Sequence, residues 1–265
     1  MRTLCVLVAA MSLATAAVSA QEKQPNLIFT IYGGVGSGHQ LWEVSRQTLV
    51  YGGSTSNPPD TARITRQLTS AVTFGGVFQL FPSGALGFSV DIGYRSLGLD
   101  DTCTPVAPFQ ADTANANEIL CDNISALGHP GGSSIALGVS GIVRLAPGKR
   151  ISPYARVGGN LAFTTVSTIE VAAPDRVVGV PRLVIGDDSP RRNSFGLLAA
   201  GGLMVQVGTA YQVRLEIRDD MSTLERVSGP ANPVADAPTE IRLFHNVGLV
   251  LGFDVLLEPK RVRRY

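Results

Sequence analysis

At 265 residues and a formal net charge of +1, the chain has length for one large domain and no electrostatic reason to engage nucleic acid. Charged residues make up only 16% of it, against roughly 25% in an ordinary soluble domain, and the only lysines are Lys23, Lys149 and Lys260. A water-facing surface of the usual kind, dense in Lys and Glu, is therefore excluded.

At the N-terminus, Met1-Arg2-Thr3 carries a positive charge into the apolar run Leu4 to Ala17, which closes on Val18-Ser19-Ala20 before the polar Gln21-Glu22-Lys23. Charge, apolar core and small-residue cleavage site together predict a secretory signal peptide over residues 1–20, with 21–26 as a short lead. A permanent membrane helix would need about 20 apolar residues, and this run is shorter. Cys5 lies too early in it to become a lipidated cysteine after cleavage. Its removal leaves Cys103 and Cys121, an even count in a chain bound for an oxidising compartment, and they are expected to form a disulfide. A thiolate metal pair would want nearby histidines or a Cys-x-x-Cys spacing, and neither is present.

The rest of the chain reads with period two, and no helical period is needed to explain it. A first segment, Leu27 to Gly36, sets Leu27, Phe29, Ile31 and Val35 against Thr30, Tyr32, Gly34 and Gly36. Gln67 to Leu80 sets Leu68, Val72, Phe74 and Phe78 against Gln67, Thr69, Thr73 and Gln79. Ala85 to Leu99 sets Phe88, Val90, Ile92 and Tyr94 against Ser89, Asp91, Gly93 and Arg95. Ser134 to Leu145, Tyr154 to Thr164 and Ser194 to Val207 repeat the design with Gly, Ser, Asn, Arg144 and Arg156 on the polar side. Tyr211 to Asp220 is the clearest, with Val213, Leu215 and Ile217 on one face and Arg214, Glu216, Arg218 and Asp220 on the other. Ile241 to Val255 completes a set of eight, with Leu243, Val247, Leu249, Leu251 and Phe253 against Arg242, Asn246, Gly248 and Asp254.

The connections alternate in kind. Pro82-Ser83-Gly84, Pro147-Gly148-Lys149-Arg150 and Gly208-Thr209-Ala210 are tight turns, whereas about 39–66, 100–130, 170–192 and 221–240 are long, polar and rich in Pro, Gly, Asp and Asn. Short turns at one end and long loops at the other are the asymmetry of outer-membrane barrels. All 16 prolines fall in turns, loops or at segment edges, as ladder pairing requires.

Alternation alone also fits a soluble periplasmic lipocalin-like barrel that carries an apolar ligand, since there the apolar side faces the enclosed core. Small residues and a mixed set of charges on the polar face favour an interior: Asp91, Arg95, Arg156, Arg214, Glu216, Arg218, Asp220 and Asp254 could neutralise one another there. Segments of ten or more residues suit tilted spanning strands better than soluble ones. Slipping the Tyr211 segment by one residue would turn Arg214 and Arg218 toward lipid at about 2 to 4 kcal/mol each near the midplane. The expected fold is thus all-β, an eight-stranded antiparallel up-and-down transmembrane barrel over 27–258, followed by a basic tail at 259–265.

In the last segment, Asn246-x-Gly248-x-x-Leu251-x-Phe253 resembles the terminal signal of outer-membrane barrels, which implies recognition by the barrel-assembly machinery; the chain departs from it by running on to Tyr265. From Leu27 to Leu257 the chain resembles the OmpA/OmpX-type family of small eight-stranded outer-membrane barrels, in architecture more than in any diagnostic motif. The resemblance implies a monomer in contact with outer-membrane lipid and lipopolysaccharide, with no cofactor, acting as an anchor, adhesin, resistance factor, narrow pore or, less often, a lipid-modifying enzyme. Eight strands leave an interior that side chains can fill, so contact through the loops with an extracellular partner is expected over transport.

An enzyme would need a nucleophile, a base and an orienting group at the outer rim. The histidines are His39, His129 and His245. His39 follows Ser37, and His245 sits on the apolar face near the outer end of the last segment, where a lipid deacylase would place a histidine and where a headgroup-level histidine also fits. The run Gly33-Gly34-Val35-Gly36-Ser37-Gly38 lacks the Lys-Ser/Thr of a phosphate loop and reads as close packing. Asp100, Asp101, Asp112, Glu118 and Asp122 surround the cysteines without calcium-loop spacing, and loop solubility accounts for them. No catalytic, cofactor or metal residue is assigned.

Overall fold

The computed structural model describes residues 27–49, 59–109, 115–128, 130–174, 181–231 and 237–257. The expected signal peptide and lead, His129, Asp112 and the basic tail lie outside the described residues. In chain order the elements are β1 (Leu27–Gly36), β2 (His39–Thr48), β3 (Thr61–Leu68), β4 (Ala71–Leu80), β5 (Leu86–Pro105), α1 (Ala116–Leu127), β6 (Gly131–Arg144) and β7 (Ile151–Thr164). Then follow β8 (Val171–Pro174), β9 (Pro181–Ile185), β10 (Asn193–Gln206), β11 (Tyr211–Val227), β12 (Thr239–Phe244) and β13 (Val247–Leu256).

Eight of these strands form a closed antiparallel ring. β1 pairs with β4, β4 with β5, and so on through β6, β7, β10, β11 and β13, which returns to β1 with Ile28 opposite Leu256. Closure pairs every neighbour and leaves no open edge in the ring, the condition for a sheet to sit in lipid. No helix among the described residues is long and apolar enough to cross a membrane.

Alternation fixes which side chains point where, and the barrel is inside out. Phe78, Phe88, Val139, Val157, Phe195, Ile217 and Leu251 are exposed on the outer face, Val157 at 69%. Their polar neighbours are enclosed: Asp91, Arg156, Arg214 and Glu216 are 1–2% exposed and Asp254 0%. A lipocalin-like barrel would reverse these faces. The anticipated facing therefore holds on all eight ring strands.

Several boundaries differ from the sequence reading. Gln67 and Leu68 end β3 and do not begin β4; Leu68 is 5% exposed in the core of the loop end, away from the outer face. β7 starts at Ile151, so Pro153 lies inside a strand, near its turn-end terminus. The last segment is two strands, broken at His245-Asn246: β12 pairs with the outer part of β11 and β13 with its inner part, which leaves Arg242 exposed outside the barrel.

The largest correction concerns the long connections, expected to be polar and irregular. They fold into a cap over one end of the barrel. β5 and β11 run beyond the ring by several residues, β3 pairs with the extension of β5, and β2 with β3. α1 and the β8–β9 hairpin complete the cap. Its core gathers Leu41, Trp42, Ile64, Ile124, Ile185 and Val227, all nearly solvent-free. α1 supplies Ala116, Leu120 and Ile124, a four-residue spacing that puts them on one helical face, contrary to the expectation that no helix was needed. Cys103 of β5 and Cys121 of α1 form the anticipated disulfide. Cross-links between connections hold the cap together: the Trp42 indole donates to the Thr168 carbonyl at 2.8 Å, and Gln47 both donates to the Ala231 carbonyl and accepts from its amide at 2.8 Å.

Candidate functional site

From the turn end upward, the interior has three levels. The lowest is an apolar plug of Ile28, Phe81, Ile142, Met204 and Leu256. The Arg144 guanidinium lies 3.4 Å above the Phe81 ring, and Gly87 makes room, since a Cβ there would meet the Phe81 ring at 2.6 Å. Alternation correctly puts Arg144 inside, but it does not reveal this plug, because Ile28, Ile142 and Met204 are apolar residues at inward positions.

The middle level is the charge network, and it unites all eight residues singled out from the sequence. Arg214 Nη2 lies 3.0 Å from Asp254 Oδ2, and Thr30 donates to the other Asp254 oxygen at 2.8 Å. Arg156 reaches Asp91 and Glu216, each at 3.4 Å, while the Tyr154 hydroxyl donates to Glu216 at 2.6 Å. Arg218 bonds Asp220 at 2.9 Å and lies 3.7 Å from Asp91; Arg95 pairs with Asp220. Four arginines face four carboxylates, so the belt is neutral, as buried charges must be. Tyr154 and Tyr32 add rings over which Arg214 and Arg218 sit at 5.1 and 5.7 Å. Glycines give the long side chains room: a Cβ at Gly93 or Gly75 would come within 2.6 Å of the Tyr32 hydroxyl, and one at Gly138 would meet Asp91 at the same distance.

Above the belt, under the cap, lies a narrow chamber. Its floor is Arg95, Arg218 and Asp220, and its roof includes Leu41, Leu68, Leu224 and Phe244. His39 and Ser194 also line it, and among the described residues neither His39 ring nitrogen nor the Ser194 hydroxyl has a hydrogen-bond partner. The His39 ring stacks on Phe244 with centroids 5.6 Å apart. Burial, and then the neighbouring His245, lower its pKa below the ordinary 6.5.

His245 is on the outer surface, as anticipated, and its Nδ1 lies 2.8 Å from Asp219 Oδ2. The period-two reading stops at Asp220 and treats Asp219 as unremarkable, so this pair is not visible from sequence. Among the described residues no serine bonds His245. The four positions of the terminal motif all lie around β13: Asn246 is buried beside Gly36, Gly248 packs on the β1 backbone, and Leu251 and Phe253 are exposed. In the glycine run, Gly34 and Gly36 face β13 and Asn246 too closely for a side chain, while a Cβ at Gly33 would make only ordinary contact with the Thr73 carbonyl at 3.9 Å. A Cβ at Gly34 would meet the Leu249 carbonyl at 2.5 Å and the enclosed Val250 side chain at 2.9 Å, so the run packs closely on backbone and on a bulky neighbour inside the barrel. Of the loop acids, Asp101 is spent on an ion pair with Arg66. No group of three or more His, Cys, Asp or Glu among the described residues is placed to hold a metal ion.

No protein-family model matches the chain, and no curated protein does. Among solved structures it is similar to the outer membrane protein OprG from Pseudomonas aeruginosa, at TM-score 0.49 and 10% identity over 89% of this chain and 98% of that one. It is also similar to Neisserial surface protein A, at TM-score 0.37 and 12% identity over 89% of this chain and 100% of that one. A third similar structure is Ail, the attachment invasion locus protein of Yersinia pestis, in complex with the heparin analogue sucrose octasulfate, at TM-score 0.37 and 8% identity over 87% of this chain and 98% of that one.

Proposed function

We propose that the protein is a non-catalytic, monomeric integral barrel of the bacterial outer membrane, exported by a cleaved signal peptide, whose folded cap meets an extracellular partner. This reading groups it with the small OmpA/OmpX-type barrels. The carrying observation is an interior closed at two levels, by the apolar plug and the ion-pair belt, under a loop end built into a solid core rather than left open. The apolar outer face takes up outer-membrane lipid, lipopolysaccharide surrounds the cap, and the β13 motif serves the assembly machinery. Membrane fractionation and planar-bilayer recording test the reading. The protein should stay with the outer membrane after osmotic shock, migrate differently on gels when heated, and carry no steady current; a stable open channel would overturn it.

The arrangement that favours chemistry instead is the Asp219–His245 pair at the rim. With no nucleophile bonded to it among the described residues, it serves as a headgroup-level polar contact. His245→Ala should leave lipid A acylation unchanged.

A further inference from the structure

The outer wall near the turn end carries a groove that the barrel's own packing does not require. It is an open trough of about 570 Å³ that runs from Pro82 and Ser83, in the turn between β4 and β5, across the outward residues of β5, β6 and β7. The register shows how it forms. Gly141 of β6 stands opposite Phe88 of β5 and Val157 of β7, which are 64% and 69% exposed, so a residue without a side chain lies between two large ones. One outward step nearer the turn, Ala155 of β7 stands opposite Val143 of β6. An inward glycine of the same strand has no freedom to change, since a Cβ at Gly138 would meet Asp91 at 2.6 Å. At Gly141 the nearest atom would be the Val157 carbonyl at 3.9 Å, an ordinary contact. Nothing within the protein demands glycine there, and glycine inside a strand often marks the close approach of a ligand.

The chemistry at the mouth of the groove is cationic. The three turns at this end carry two charged residues, Lys149 and Arg150, both positive and both exposed. Among the described residues neither side chain is engaged by a hydrogen bond or an ion pair. Val157 lies seven positions beyond Arg150. At about 3.4 Å per residue and a tilt of about 40°, that places it roughly 18 Å deeper in the membrane, close to the roughly 15 Å of one leaflet's hydrocarbon. Cations at headgroup depth over an apolar trough one leaflet long match a molecule with an anionic head and an acyl chain. The turn end lies opposite the cap, so the leaflet beside it is the periplasmic one, which is built of phospholipid.

We propose that this groove binds one anionic phospholipid of the periplasmic leaflet, an acyl chain laid over Gly141 between Phe88 and Val157 and the charged headgroup on Lys149 and Arg150. The site rests on the outer-membrane reading of the barrel and goes beyond it, because a plain apolar wall takes up phospholipid through the chains alone and does not distinguish headgroup charge.

The test inserts the full mature chain into vesicles of phosphatidylethanolamine and phosphatidylglycerol in equal parts with matched chains, and reads the lipid retained on the protein by native mass spectrometry. One phospholipid should stay bound, with phosphatidylglycerol favoured at least about five-fold, the effect of a single cation at an anionic headgroup. Lys149→Gln with Arg150→Gln should bring the two lipids to parity. Gly141→Leu, whose Cβ has room, should fill the trough and lose both lipids. A chain that enters the vesicles, as heat-modifiable migration reports, and shows no preference overturns this inference alone; a chain that does not enter them overturns the outer-membrane reading as well. An unchanged preference in the Lys149→Gln, Arg150→Gln protein would also overturn the inference, as would undiminished retention in Gly141→Leu. So would a dimer that Gly141→Leu dissociates, since a second copy would then hold the groove. If Gly141→Leu fails the migration check, Ala155→Leu fills the same trough in its place.

Discussion

Arg66 grips Asp101 through two hydrogen bonds of 2.6 Å, from Nε and Nη2, in a site where neither side chain is more than 1% exposed. The same Nη2 donates to the Glu170 carbonyl at 2.6 Å, so one guanidinium joins three of the connections that make the cap. Asp101→Ala would leave that cation buried without a counter-charge, at about 3 to 5 kcal/mol. Trp42, the chain's only tryptophan, is 2% exposed with its ring 5.5 Å from the Arg66 guanidinium carbon, and it reports on the cap alone. Its emission should shift to the red at lower urea in Asp101→Ala, while heat-modifiable migration of the barrel persists. An unmoved Trp42 transition would show that the pair does not hold the cap.

A second pair makes the corresponding statement about the barrel interior. Among the described residues Asp254 is the one carboxylate bonded to Arg214, and it also accepts from Thr30. Asp254→Ala should destabilise the folded barrel by about 3 to 5 kcal/mol, read by urea unfolding in lipid vesicles. The double change Arg214→Met with Asp254→Leu removes both charges and restores hydrocarbon contact, so it should recover most of that loss. Equal destabilisation by the single and the double variants would mean that packing, not charge pairing, governs this level.

The barrel was legible because its two environments differ sharply along every ring strand: Arg214, Glu216 and Arg218 alternate with Val213, Leu215 and Ile217, and only one register keeps the charges enclosed. The eight network residues followed from the same pattern. The cap was not legible by that route. β2 and β3 pair with register shifts between Gln40 and Trp42 and between Val44 and Gln47, which break the period that marks a strand. α1 is one helix whose buried face includes the polar Asn117 and Asn123, so its apolar stripe is short. Arg66–Asp101 and Asp219–His245 join residues 35 and 26 positions apart, and pairings at that range depend on the fold. The apolar plug was hidden because Ile28 and Met204 occupy inward positions at the strand ends, where polarity says nothing about facing.

Acidification should loosen the cap through His39. Its ring is enclosed between Phe244 and the chamber, close to His245, which is itself bound to Asp219, and its folded pKa lies below the unfolded 6.5. The unfolded cap therefore binds the proton more readily. The stabilising contribution is complete above about pH 6.5, declines as pH falls from there toward the depressed folded value, and is flat below it. The Trp42 urea midpoint should drop between about pH 7.5 and 5.5, and His39→Gln should remove most of that drop. An identical pH response in His39→Gln would assign the whole effect to other groups.

The Cys103–Cys121 bond closes an 18-residue separation between β5 and α1, and a constraint of that span contributes about 3 kcal/mol by limiting the unfolded chain. It is not the only tether on the helix. Ser125 accepts from the Cys103 amide at 2.9 Å and donates to its carbonyl at 3.3 Å, and Leu120 and Ile124 stay in the cap core. Loss of the bond should therefore weaken the cap without unfolding it. In a Cys103→Ser, Cys121→Ser protein, Trp42 should keep its native emission in the absence of urea and shift at a lower urea concentration than in the parent, with barrel migration unchanged. A red-shifted Trp42 before any urea is added would mean that the hydrogen bonds and the helix's apolar face cannot dock α1 by themselves.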